Sequence, residues 1–148
     1  MRESTMARLL IVILMNYITI PQHIFDEMIA HCRAGYPNEA CGILAGNGRE
    51  VARLYRMKNA DASPVSYLMD SQEQFRAMKS MREEKLSIVA LFHSHPDSAA
   101  YPSAKDVQLA FYEDSAYVIV SLTGGVPSAK AFFIRNGAVE EITINRIS

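Results

Sequence analysis

Two hydrophobic periods alternate along the chain, and each change of period marks a change of element. The stretch MNYITIPQHIFDEM reads as the start of a strand followed by a helix. Pro21 sits where a first helical turn tolerates it. Beyond it Ile24, Met28, Ile29 and Cys32 recur at helical spacing, which predicts an amphipathic helix ending near Gly35. His23 and His31 ride on this helix and read as solvent-facing or capping residues. CGILAGNGREVARLYRM gives two short strands around Gly46-Asn47-Gly48, a turn whose residues accept positive φ. NADASPVSYLMDS reads as a loop leading into another short strand. SQEQFRAMKSMREEK then predicts a helix with Phe75, Met78 and Met81 as its apolar stripe. LSIVALFHSH is a strand, SAKDVQLAFYED a helix, and AYVIVSL a strand buried on both faces. AKAFFIRN and AVEEITINRI close the chain as strands joined at Asn136-Gly137.

Strands interleaved with three helices, with hairpins near both ends, predict an α/β domain in which a mixed β-sheet is flanked by helices. No repeat or linker divides the chain, so residues 15–148 read as a single domain and residues 1–14 as an N-terminal extension. The apolar run Leu9–Met15 is too short for a membrane span, and no small-residue cleavage site follows it. The 148 residues are 49% hydrophobic and 21% charged, the balance of a globular protein with a real core. Fifteen basic residues face sixteen acidic ones, a net charge of −1, which argues against nucleic acid as a direct ligand. Cys32 and Cys41 form no CxxC pair and read as reduced thiols in a cytoplasmic protein.

The chemistry gathers around LFHSHPDSAAYPSAKD, residues 91–106. Side chains alternate across a strand, so Val89, Leu91, His93 and His95 are expected on one face of the strand Leu86–His95. Pro96 ends the ladder and leaves both imidazoles at the mouth of the sheet. Ser103 stands at the expected N-cap of the next helix, with Asp106 in its first turn. On spacing alone S-x-x-D is a capping-box pattern. Carried back beside the histidines by a seven-residue loop, the same carboxylate completes a two-imidazole, one-carboxylate set suited to Zn²⁺. Three protein ligands leave a fourth position for water, as in catalytic zinc sites. Such a water needs a base. Glu39, just ahead of the buried strand Ala40–Ala45, is one candidate, with a solvated loop residue as its plain alternative. Cys41 is a rival nucleophile, more readily read as a packed thiol.

Glu39 in NEACGIL, H-S-H-P at His93–Pro96, Ser103 and Asp106 together resemble the JAMM, or MPN-type, zinc metalloprotease signature: Glu, then H-x-H, seven residues, Ser, two residues, Asp. The chain from about Tyr17 to Leu122 is similar to the small prokaryotic members. The resemblance implies a cytidine-deaminase-like fold and one Zn²⁺ held by His93, His95 and Asp106. It implies Glu39 as general base and then acid, and Ser103 as hydrogen-bond donor to the oxyanion. It further implies hydrolysis of peptide or isopeptide bonds after the C-terminal diglycine of a ubiquitin-like protein. The compact chain points to a ubiquitin-like sulfur carrier as the partner, and the oligomeric state, a homodimer included, stays open. A catalytically silent scaffold and a DNA-repair-associated relative are the competing readings. Occupation of all five motif positions argues against the first, and the lack of a basic face or helix-hairpin-helix segment against the second.

Overall fold

Among the described residues seven strands form one mixed sheet that curls until its ends meet, in the order β1-β3-β2-β4-β5-β6-β7. The computed structural model describes residues 16–148 together with Met6, so the expected extension over residues 1–14 lies, Met6 apart, outside the described residues. The strands are β1 (Tyr17–Pro21), β2 (Cys41–Asn47), β3 (Glu50–Met57), β4 (Ser87–His95), β5 (Ala116–Ser121), β6 (Ser128–Arg135) and β7 (Ala138–Ile147). The α-helices that follow β1 are α1 (Gln22–Gly35), α2 (Ser71–Glu83) and α3 (Ala104–Gln108). β4 and β5 run parallel, β2 is antiparallel to both β3 and β4, and β5, β6 and β7 follow as an antiparallel meander. β1 closes the circuit, pairing in parallel along β7 and meeting β3 at Thr19 and Glu50. The β6–β7 turn holds Asn136 and Gly137 at φ 51° and 77°, the conformation for which this pair is suited.

Alternate residues of the sheet feed two cores. On one face Ile18, Ile20, Leu44, Phe92, Val118 and Val120 pack with Ile24, Phe25, Met28 and Cys32 of α1. On the other, Cys41, Ile43, Leu91, Ile119 and Phe132 pack with Ala77 and Met81 of α2 and with Met69 and Ala100. β5, central and parallel to β4, is buried along its whole length. Among the described residues no helix is long and apolar enough to cross a membrane.

Several local expectations are corrected. The β2–β4 register skips a residue: Leu44 faces Ala90, while Ala45 faces Ile88. This bulge leaves Val89 opposite no residue of β2 and places it with Ala90 and Phe92 in the α1-side core, away from Leu91. His93 and His95 follow the bulge and keep their common face. On α2, Phe75 is 70% and Met78 37% exposed, whereas Ala77 and Met81 are buried. Residues at i, i+3 and i+6 precess by about 60° per step, which carries Phe75 about 120° round the helix from Met81. The helix expected over residues 103–114 stops at Gln108, and the Tyr112 amide donates instead to the Tyr117 hydroxyl at 3.0 Å. Only an isolated bridge, Asn59 to Met69, stands where a short strand was expected before α2. His31 neither caps nor faces solvent; it is half-buried, with Nε2 3.0 Å from the Cys41 carbonyl.

The revised face of α2 has a measurable consequence. In urea denaturation, Met81→Ala is expected to cost about 2–4 kcal/mol, whereas Phe75→Ala changes stability by less than about 0.5 kcal/mol. A Phe75 stripe packed in the core would give comparable losses.

Candidate active site

The site begins with one register. Cys41 pairs with His93, and the next step outward is locked by two hydrogen bonds: the Ser94 amide donates to the Ala40 carbonyl at 2.9 Å, and the Ala40 amide donates to Ser94 Oγ at 2.8 Å. Continued by one more residue, this pairing sets Glu39 across from His95 on the same face as His93. Glu39 is 5% exposed, and its Oε1 has no hydrogen-bond partner among the described residues. Its backbone is tied at both ends. The amide donates to Ser63 O at 2.8 Å, and the carbonyl accepts from Asn59 Nδ2 at 2.9 Å.

The loop after β4 brings back the carboxylate. Leu122 donates its amide to His95 O, while Ser121 Oγ and Thr123 Oγ1 both donate to Ser98 O, at 2.7 and 3.1 Å. These contacts clamp the loop to the end of β5. Ser103 then caps α3: its Oγ accepts from the Asp106 amide at 3.0 Å, and its own amide donates to Asp106 Oδ2 at 2.9 Å. Capping and ligand geometry coexist here. The reciprocal cap aims Asp106 Oδ2 inward, 3.1 Å from His93 Nε2 and 3.0 Å from His95 Nε2, and those two nitrogens lie 3.1 Å apart.

The triangle so formed fits a metal. His95 Nδ1 lies 2.8 Å from the Ala99 carbonyl, which can only accept, so Nδ1 carries the proton and Nε2 of the neutral ring presents a lone pair. That lone pair points at a carboxylate oxygen and a second imidazole nitrogen, a repulsive meeting unless a cation sits among them. Tetrahedral zinc bonds of 2.0–2.1 Å set their ligand atoms about 3.3 Å apart, close to the observed spacing. Without metal, protons take the part of the cation. Burial alone would raise Asp106, but hydrogen bonds from His93 and His95 hold it well below the usual carboxylate range. Burial likewise opposes protonation of His95, yet Asp106 and the Ala99 carbonyl raise it. Burial keeps His93 low. Glu39 is pushed up to about 7, chiefly by burial; the His95 charge opposes this and Asp106 adds to it.

Two residues with no signal in the sequence join the site. The Tyr67 ring stacks on His93 with centroids 4.5 Å apart and planes at 24°. Asn59 uses its side-chain amide fully: Nδ2 donates to Glu39 O and Ser66 O, and Oδ1 accepts from the amides of Asp61 and Leu68. It thereby ties the loop carrying Tyr67 to the backbone of Glu39. Cys41 is no nucleophile in this setting. It and Cys32 are buried free thiols, each pushed up to about 12, chiefly by burial.

Two histidines on a strand end and an aspartate on a helix cap, set on a curled mixed sheet, define a JAB1/MPN-type domain. A JAB1/MPN domain protein of Archaeoglobus fulgidus shares the fold, with TM-score 0.60 at 16% identity over 88% of this chain and 98% of that one. The family described as prokaryotic homologs of the JAB domain matches residues 21–135, and the chain belongs to it. A Desulfitobacterium hafniense protein solved in solution has TM-score 0.80 and 40% identity, covering 88% of this chain and 93% of that one. The CysO-cysteine peptidase of Mycobacterium tuberculosis is 37% identical over 86% of this chain and 90% of its own length. A probable TtuB-protein conjugate cleaving protease of Thermus thermophilus is 34% identical over 80% of this chain and 76% of its own.

Two outcomes follow from burial at the site. With thiols held protonated, neither cysteine reacts appreciably with a disulfide reagent at pH 8 until the protein is unfolded, and thiol alkylation leaves the native protein unmodified. For Glu39 the folded value of about 7 lies above the ordinary 4.5. Below the ordinary value the carboxyl is protonated folded or unfolded and costs nothing; as pH rises through 7 it is ionised in both states and its burial is fully felt. Glu39→Gln therefore stabilises the metal-free protein by about 1–2 kcal/mol at pH 8, and the gain fades towards pH 4.5; denaturation at the two pH values measures it.

Proposed function

We propose that the chain is a zinc-dependent peptidase that hydrolyses the amide bond after the C-terminal diglycine of a ubiquitin-like sulfur-carrier protein. The chain is a hydrolase of peptide or isopeptide bonds. The observation that carries the finer reading is the convergence of His93 Nε2, His95 Nε2 and Asp106 Oδ2 within 3.1 Å, on the sheet face where Glu39 sits buried across from His95. The names of the relatives support the substrate class: one acts on CysO-cysteine, another cleaves TtuB-protein conjugates.

His93, His95 and Asp106 would hold one zinc per chain. When bound, zinc supplies Lewis acidity, polarising the scissile carbonyl and bringing a water's pKa to about 7. Glu39 Oε1, unpartnered and matched in pKa to neutral pH, takes a proton from the water and hands it to the leaving nitrogen. Ser103 Oγ accepts from the Asp106 amide and so keeps its own hydroxyl proton to donate to the oxyanion. Ala99 and Ser103 hold the ligands in orientation through His95 Nδ1 and Asp106 Oδ2. The carbon–nitrogen bond breaks; the water oxygen stays on the glycine carboxylate, and its protons are shared out to the released amine. Two glycines suit this site because a segment without side chains can approach the metal closely.

The test is incubation of zinc-loaded protein with a sulfur carrier ending Gly-Gly plus one further residue, followed by mass spectrometry. Cleavage after the second glycine is expected. Glu39→Gln lowers the rate by at least about 100-fold with zinc still bound, and His93→Ala and Asp106→Ala lose both zinc and activity. Full activity in Glu39→Gln, or in zinc-stripped protein, contradicts the reading.

A further inference from the structure

A hollow of about 180 Å³ opens beside the converging ligands. Tyr67, Met69, Leu91 and Leu109 are among its mostly apolar walls, and Lys105 and Asp106 are the charged residues in a lining that also includes Ser66 and Gln74. It meets the ligand set through Asp106, one of the three converging residues, and its wall residue Tyr67 stacks on a second, His93. Its size sets its occupant. An apolar cavity of about 150 Å³ takes up benzene, so this one suits a single side chain of leucine, methionine or phenylalanine size and is too small for a cofactor.

We propose that this hollow selects the residue released by hydrolysis, holding its apolar side chain while Lys105 faces its free carboxylate. The assignment rests on the diglycine reading. Two glycines on the acyl side bring no side chain to the site, and each residue advances the chain by only about 3.3–3.6 Å. The residue before the diglycine is therefore about 8 Å along the chain from the scissile carbon, whereas the leaving residue is bonded directly to it. The leaving side chain is the one that can enter a hollow walled by a metal-ligand candidate. Its carboxylate stands one carbon from the leaving nitrogen, the group that Glu39 must reach. Lys105 precedes Asp106 in the chain and lines the hollow. A flexible ammonium is a point charge suited to a single carboxylate. The substrate class that follows is a carrier bearing one apolar amino acid with a free α-carboxylate, in preference to a lysine isopeptide.

The test uses zinc-loaded full-length protein and a sulfur carrier ending Gly-Gly-X, with X as Leu, Met, Ala, Asp, Lys or leucine amide, and reads kcat/KM by mass spectrometry. Leu and Met are expected at least about tenfold above Ala and Asp. Amidation of the leucine costs about threefold, and Lys105→Gln erases the difference between acid and amide while Lys105→Arg keeps it. Leu109, 47% exposed, can be changed without emptying the core, and Leu109→Glu shifts preference from Leu towards Lys. Equal rates across the panel, or a Leu109→Glu variant that slows every member alike, overturn the assignment while cleavage after the second glycine stands. If no member is cut there, the diglycine reading itself fails and this one with it.

Discussion

The pairing of β2 with β4 at Cys41 and His93 is the constraint on which the site depends. Ser94 secures it twice, accepting the Ala40 amide through its hydroxyl and donating its own amide to the Ala40 carbonyl. A one-residue slip of β4 would send His93 and His95 into the core packed by α1, bring Ser94 to the site and leave Glu39 with no imidazole opposite. The bulge at Val89 sits upstream in the same ladder and sets the phase with which β4 reaches its end. What looks like sheet architecture is thus the device that puts a carboxylate opposite an imidazole fifty-six positions later in the chain.

The second device is economy at α3. A helix of five residues has little stability of its own, and its cap uses the groups that the chemistry needs. Asp106 Oδ2 accepts from Ser103 and faces both imidazoles with the same atom. Held together without a cation, these groups oppose each other, as does the unpartnered oxygen of Glu39. The domain tolerates that cost because the two sheet-face cores, with α1 and α2 over them, supply stability away from the site.

Local signals were legible in the sequence wherever neighbours along the chain decide the outcome. The Asn136-Gly137 turn, the helix end at Gly35, the buried run of β5 and the shared face of His93 and His95 are of this kind. The His-x-His and Ser-x-x-Asp spacings gave the ligand candidates, whereas Glu39 stood out through family resemblance. Features settled by distant contacts were not legible. Val89 changes face because β2 skips a residue beside it, Phe75 turns outward because the sheet meets Ala77 and Met81, and α3 gives way after Gln108 to a segment whose Tyr112 amide is taken by the Tyr117 hydroxyl. Tyr67 and Asn59 lie in a polar segment whose composition announces only a loop. Their part comes from hydrogen bonds and stacking to residues up to twenty-six positions away.

The central claim is that one strand and one helix cap assemble a zinc site from two imidazoles and a carboxylate, with the nearby thiol left out. X-ray absorption at the zinc edge of the loaded protein tests this most directly. The account predicts nitrogen and oxygen neighbours at about 2.0–2.1 Å, with the multiple scattering of two imidazoles and no sulfur. A sulfur shell near 2.3 Å, or the same spectrum in His93→Ala, would contradict it.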